Sequence, residues 1–176
     1  GKILHGLTGQ MAVGHTRYST TGSSHLLNAQ PLTVDCARGQ IAIAHNGNLT
    51  NALQLREELE AKGSIFQTTV DSEIILHLMA QPGLNGQENS LLHTVRRLEG
   101  AYSLVIMTEK ELIGVRDPHG FRPLSIGQVN GAYVLASETC AFDLINAKFV
   151  RDVAPGEIVV INEAGLSSVQ AFPEHE

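Results

Sequence analysis

The sequence predicts an α+β fold in which antiparallel sheets pack against helices. Three observations predict it. The longer helices fall within residues 48–98, strand-like runs dominate from 101 onward, and the two do not alternate as a doubly wound parallel sheet requires. At 176 residues one domain is the expected count, spanning 1–176.

The elements follow in order. Met11–His15 reads as a short strand, and 16–24, rich in Ser, Thr and Gly, as a polar loop. Gln40–His45 is a strand with Ile at alternate positions, and Arg38-Gly39 before it suits a hairpin turn. Asn48 or Thr50 can cap a helix running to Lys62, which Gly63 is placed to end. Leu49, Ala52, Leu53, Leu55 and Leu59 give that helix an apolar side. Asp71 caps or opens a second helix, in which Ile74, Ile75, Leu78 and Met79 recur at helical spacing. Asn89–Leu98 is a third helix, ended near Gly100. Ala101–Thr108, Leu112–Val115, Pro123–Ile126, Ala132–Ala136, Phe149–Val153 and Glu157–Ile161 are strand candidates, with a short helix at Ala141–Ala147. Asp117-Pro118-His119-Gly120 is a turn: proline fixes φ at its second position and glycine relieves strain at its fourth.

Composition excludes several classes of function. At 43% apolar and 17% charged residues, the chain can bury a substantial core. A net charge of −6 with no long Lys/Arg run argues against a nucleic-acid partner. No apolar run approaches the roughly 20 residues that span a bilayer, so no membrane partner is expected. No signal peptide is recognisable, and Cys36 and Cys140 make neither a disulfide framework nor a four-ligand metal site. A reducing cytoplasm is the expected location. Gly1 in place of Met, and an end at Glu176 without cap or stop signal, read as cuts through a longer protein.

Three short stretches carry chemistry, each following an apolar or β-rich run. Arg17, in Gly14-His15-Thr16-Arg17-Tyr18-Ser19-Thr20, can grip a carboxylate with two parallel N–H bonds, or be a solvated loop charge. Asn46-Gly47 offers a side-chain amide beside a backbone N–H that a ligand can approach, the two donors of an oxyanion hole. The same dipeptide is also the commonest hairpin-turn signal. Asp71, in Asp71-Ser72-Glu73, can pair with an ammonium or cap its helix. His15 and His45 precede candidate residues without metal-ligand spacing and read as core or supporting groups, and His77 as packed. Nothing near Cys36 or Cys140 activates either thiol.

In this order, these stretches resemble one family. Together with Ala44-His45-Asn46-Gly47-Asn48-Leu49-Thr50-Asn51, Arg116-Asp117-Pro118-His119-Gly120-Phe121-Arg122-Pro123-Leu124, Ala136-Ser137-Glu138 and Val153-Ala154-Pro155-Gly156-Glu157, they are similar to the glutaminase domain of the amidophosphoribosyltransferases. These are class-II glutamine amidotransferases; the glutaminase domain of glucosamine-6-phosphate synthase is the alternative within the class, and a catalytically dead glutamine-binding module the alternative outside it. The resemblance implies an N-terminal-nucleophile fold, a four-layer αββα sandwich of two antiparallel sheets, incomplete here at the N-terminus. It implies that Arg17 binds the α-carboxylate of glutamine, that Asp71 binds its α-ammonium, and that Asn46 and Gly47 form the oxyanion hole. Tyr18 to Thr21, with Tyr18 and Thr20 as binding residues, would belong to a loop that closes over the substrate. The family's nucleophile is a cysteine at the mature N-terminus; neither Cys36 nor Cys140 aligns with it, so this chain is expected to be inactive alone. The parent would pass ammonia from glutamine to phosphoribosyl pyrophosphate, forming phosphoribosylamine in purine synthesis. Its phosphoribosyltransferase domain, with Mg2+, would lie outside this chain; an iron–sulfur cluster in the parent stays open, and the parent is expected to be a homo-oligomer.

Overall fold

The computed structural model describes residues 9–16, 26–37, 39–81 and 90–172. The elements are β1 (Leu32–Cys36), β2 (Gly39–Leu49), α1 (Ala52–Ala61), α2 (Ser72–Ala80), α3 (Ser90–Arg97), β3 (Gly100–Met107), β4 (Leu112–Arg116), β5 (Ser125–Val129), β6 (Ala132–Ala136), α4 (Cys140–Ile145), β7 (Lys148–Asp152), β8 (Glu157–Asn162) and β9 (Gly165–Gln170). They build a six-stranded sheet of order β1-β2-β3-β4-β8-β9 and a three-stranded sheet of order β6-β5-β7. Every pairing is antiparallel.

Strand alternation decides what each face meets. On one face of the large sheet, Ile41, Ile43, Leu104, Ile106, Ile113, Val115 and Ile158 pack with Leu55 and Leu59 of α1, Ile75 and Leu78 of α2 and Val95 of α3. On the other face, Val159 and Val105 meet Ile126 and Leu135 of the small sheet and Leu124 just before β5. Gly114 marks how close the sheets come: a Cβ there would lie 2.9 Å from Leu135 Cδ1 of the small sheet. Gly127, one residue past Ile126 and therefore facing outward, lies under the Phe142 ring of α4, 2.9 Å from where a Cβ would stand. The layers are thus helix, sheet, sheet, helix.

Several local expectations are corrected. Met11–His15 keeps the alternating exposure of a strand but joins no ladder; alternation marks which side faces inward and does not supply a pairing partner. β2 does not end at His45 but runs on through Asn46-Gly47-Asn48 to Leu49, because β3 pairs with it as far as Gly100. Asn46-Gly47 is therefore not a turn. With Leu49 still in the strand, neither Asn48 nor Thr50 caps α1; Asn51 precedes it and makes no side-chain cap bond. The Asn51 amide instead donates to Arg97 O and accepts from Glu99 N, tying α1 to the end of α3. Leu53, expected on the apolar side, is exposed at 71%. Pro123–Ile126 is displaced to Ser125–Val129, and β1 and β9 add strands at both edges of the large sheet. Gly63 ends α1 as expected, with φ +92° and its N–H on Glu60 O. No helix of the described residues is long and apolar enough to cross a membrane.

Candidate functional site

The site is built by a mismatch in strand length. β2 has eleven residues and β1 five, and their pairing stops at Leu32 with Ile43. Past Ile43, the edge of β2 that faces away from β3 has no strand of β1 beside it. In an antiparallel strand the N–H and C=O of one residue point to the same side, and the sides alternate. His45 N donates to Gln30 Oε1 at 2.7 Å and Leu49 N to Asp71 Oδ2 at 3.0 Å, so odd-numbered residues face this edge. Gly47 lies between them with the same parity, and its N–H faces the same edge.

Glycine is required at 47. Its φ is +146°, and a Cβ would lie 2.0 Å from Ala101 O and 2.7 Å from Tyr102 Cα. Gly100 repeats the arrangement from β3, with φ +137° and a Cβ position 2.3 Å from Asn48 O. Two strands approach here more closely than any side chain allows.

Asp71 reaches this strand end from α2. It precedes the helix in αR geometry but makes no side-chain cap bond, which corrects the capping expectation. Its carboxylate turns to β2 instead. Oδ1 lies 3.2 Å from His45 Nδ1, and Oδ2 accepts from Leu49 N. Burial pushes the Asp71 carboxyl up, but the His45 ring and the Leu49 and Ser72 N–H groups outweigh it, and the group is held below the ordinary value. The Asp71 side chain keeps 17% of its surface exposed, whereas that of His45 keeps 1%.

The turn that delivers Asp71 is clamped from two sides. Glu73 accepts from Gln67 N, Thr68 N and Thr68 Oγ1 at 2.6–2.8 Å. Asn28 exchanges a pair of hydrogen bonds with Thr69.

The predicted residues are brought together in part. Asp71 meets the backbone of 45–49, the segment that contains Gly47. Asn46 has the opposite parity to His45, so its side chain leaves β2 on the sheet–sheet face, directly across from Ser103, which pairs with Arg116. Asn46 and Asp71 therefore approach the strand end from opposite faces. Arg17, Tyr18 and Thr20 lie outside the described residues. Cys36 pairs with Gly39 at the far end of β2, seven residues from Asn46 and about 24 Å away at strand rise. Cys140 opens α4, on the far side of the small sheet. Among the described residues no His/Cys/Asp/Glu group could hold a metal ion.

Sequence reasoning missed the supports. Gln30 and Gly100 were not singled out, because their roles depend on partners 15 and more residues away. Asp117 was read as the first residue of a turn and Arg116 only as part of a family motif; together they are the turn's lock. Asp117, fully buried, accepts from His119 N, Phe121 N and Arg122 N at 2.9–3.0 Å. The Arg116 guanidinium donates to Gly120 O, Arg122 O and Val153 O. Three backbone carbonyls around one guanidinium, and three N–H groups around one carboxylate, were the signal available in Arg-Asp-Pro-x-Gly.

The comparisons with known proteins agree with this architecture. A family model described as a glutamine amidotransferase domain matches residues 15–143. The amidophosphoribosyltransferase of Bacillus subtilis is 47% identical over 166 residues, covering 94% of this chain and 35% of that protein. That of Synechococcus elongatus is 50% identical over 173 residues, covering 95% of this chain and 35% of that protein. Chloroplastic amidophosphoribosyltransferase 2 of Arabidopsis thaliana is 48% identical, over 98% of this chain and 31% of its own length. The chain thus spans about a third of the length of these relatives. The solved structure of glutamine phosphoribosylpyrophosphate amidotransferase from B. subtilis, complexed with ADP and GMP, superposes with a TM-score of 0.84 at 45% identity, over 91% of this chain and 34% of that one. The two-sheet sandwich, the ordered motifs and the match over residues 15–143 have one reading: this chain belongs to the glutamine amidotransferase domain family.

Proposed function

We propose that this chain is the glutamine-binding part of an amidophosphoribosyltransferase, which releases ammonia from glutamine and passes it to phosphoribosyl pyrophosphate to form phosphoribosylamine in purine synthesis. One observation supports it above the others: at the open end of β2, a partly exposed carboxylate is held by His45 and Leu49, the residues on either side of Gly47 along that edge. In this reading Asp71 receives the α-ammonium of glutamine. The Gly47 N–H, at the strand edge, and the Asn46 amide, reaching round from the other face, receive the oxygen that turns negative when the side-chain amide is attacked. Two methylenes separate the α-carbon of glutamine from that amide, so one extended molecule can engage both groups. Arg17 takes the α-carboxylate, and Tyr18 and Thr20 belong to the loop that closes over it.

The nucleophile of the reaction is a cysteine that precedes Gly1 in the parent, with its own α-amine as base; an α-amine titrates near 8 and can take a thiol proton at neutral pH. The ammonia acceptor site with its Mg2+ and any iron–sulfur cluster belong to the remaining length of the parent, a homo-oligomer in the cytoplasm. The test is calorimetry and glutaminase assay. Glutamine binds the chain, Asp71→Asn removes the binding, and hydrolysis requires the preceding segment. Hydrolysis by residues 1–176 alone, abolished by Arg17→Ala, overturns the placement of the nucleophile. Binding without hydrolysis in the longer protein favours a glutamine-binding module.

A further inference from the structure

His45 is almost wholly buried, and burying an imidazole costs free energy unless its nitrogens are used. Its polar contacts are concentrated on one nitrogen. Nδ1 lies 3.2 Å from Asp71 Oδ1 and 3.4 Å from Ser72 Oγ, while Nε2 has no hydrogen-bond partner among the described residues. A side chain kept for packing alone would be better served by leucine at this position, between Ile43 and Leu49 on the helix-facing side of β2. An ionised carboxylate only accepts, so Nδ1 carries the ring proton and donates it to Asp71.

The consequence for Asp71 is geometric. An aspartate at the start of a helix ordinarily turns its carboxylate onto the N–H of the second or third residue of that helix. Asp71 does not, although it stands at that position. His45 Nδ1–H holds Oδ1, and Leu49 N–H holds Oδ2, so the carboxylate plane is fixed across the end of β2 rather than along α2. Two of the roughly four lone-pair directions of the carboxylate are thereby filled from inside the protein. What is left points to the exposed part of the side chain, where an incoming ammonium can reach it.

We propose that His45 is the positioning residue for Asp71, the donor that turns this carboxylate away from its helix and aims it at the α-ammonium of the amino-acid substrate. The proposal rests on the glutamine-site reading above. His45 touches no substrate itself; without its donor, Asp71 swings back to cap α2 and withdraws from the site. Folding survives that change, because a capped helix replaces the lost bond, while substrate capture does not.

The experiment uses the complete enzyme and two substitutions. His45→Leu removes the donor at similar volume; His45→Asn retains one, because its Nδ2 stands near the position of the ring Nδ1. His45→Leu raises KM for glutamine about ten- to a hundredfold, as expected for a lost hydrogen bond to a charged group, with much less effect on kcat. His45→Asn restores KM to within about threefold of the parent value. KM unchanged in His45→Leu but raised in Asp71→Asn overturns the role of His45 and leaves the glutamine site standing. KM unchanged in both overturns the site reading and this inference with it. Equal KM increases in His45→Leu and His45→Asn mean that ring packing, not the donor, matters, which also overturns it. Nitrogen NMR of the His45 imidazole in the unsubstituted protein gives a readout independent of folding defects. A protonated Nδ1 with bare Nε2 is expected, and the reverse tautomer rules the proposal out.

Discussion

Asp71 and Asp117 are both aspartates that gather backbone N–H groups at the same end of the large sheet, yet they do opposite things. Asp117 is fully buried, and its three backbone donors all come from the five residues that follow it. Such a carboxylate closes its own loop and has nothing left to offer. Asp71 takes its donors from His45 and Leu49, 26 and 22 residues earlier in the chain, and keeps a side exposed. A carboxylate fed from distant elements is oriented by the fold as a whole, and one with a free side can meet a ligand. Sequence statistics treat both as turn or cap residues; what separates them is where their donors come from.

The largest expected effect strikes the frame on which the comparison stands. Gly47→Ala places a Cβ 2.0 Å from Ala101 O on a backbone that L side chains rarely adopt. We expect a loss of at least about 3 kcal/mol of stability in urea unfolding, combining backbone strain with a clash that neither strand can relieve. A loss below about 1 kcal/mol would mean that β2 and β3 separate easily at this end, and that the edge facing Asp71 is not rigid.

The next effect separates the two aspartates directly. Asp117→Asn leaves one of three buried N–H groups facing an amide donor. It should cost about 2 kcal/mol of stability. Asp71→Asn should cost about 1 kcal/mol or less, because its surroundings are partly solvated, while reducing glutamine affinity about a hundredfold. Thermal or urea unfolding and calorimetry on the same two proteins give both numbers. A large stability loss in Asp71→Asn with affinity retained would make it a second structural lock and erase the distinction.

Much of this was legible in the sequence, and the failures share a cause. α2 and β3 carried both periodicity and burial: Ile74, Ile75, Leu78 and Met79 are all buried, as their spacing requires. β2 was cut short because Asn46-Gly47-Asn48 is locally a turn signal; it remains a strand because Gly100, some 50 residues later, lets β3 approach it. β9 was missed because Gly165–Gln170 is polar and edge-placed, although Asn162-Glu163-Ala164-Gly165 could have been read as the connection of its hairpin. The candidate residues at 46, 47 and 71 were legible as types. That Asn46 and Asp71 reach the strand end from opposite faces was not, since face is set by pairing. His45 lay in plain view beside Asn46, but its partner was 26 residues away.

The smallest effect concerns acid. Burial raises the Glu157 carboxyl, but the two bonds from Arg151 at 2.8 Å and the Ala154 N–H outweigh it, so Glu157, like Asp71, is held below its ordinary value. A carboxylate whose folded value is depressed contributes stability in full above its unfolded value and loses it as pH falls through the folded one. The loss therefore begins below the ordinary 4.5 for Glu157 and below the ordinary 3.8 for Asp71. Urea unfolding across this range should show stability falling with pH, with the upper part of the fall removed in Glu157→Gln and the lower part in Asp71→Asn. Glutamine affinity should follow the lower part alone, because a protonated Asp71 no longer attracts an ammonium. If affinity instead fell with the Glu157 limb, binding would be tracking the integrity of the β7–β8 corner rather than the charge at the end of β2, and Asp71 would be no closer to the ligand than Asp117 is.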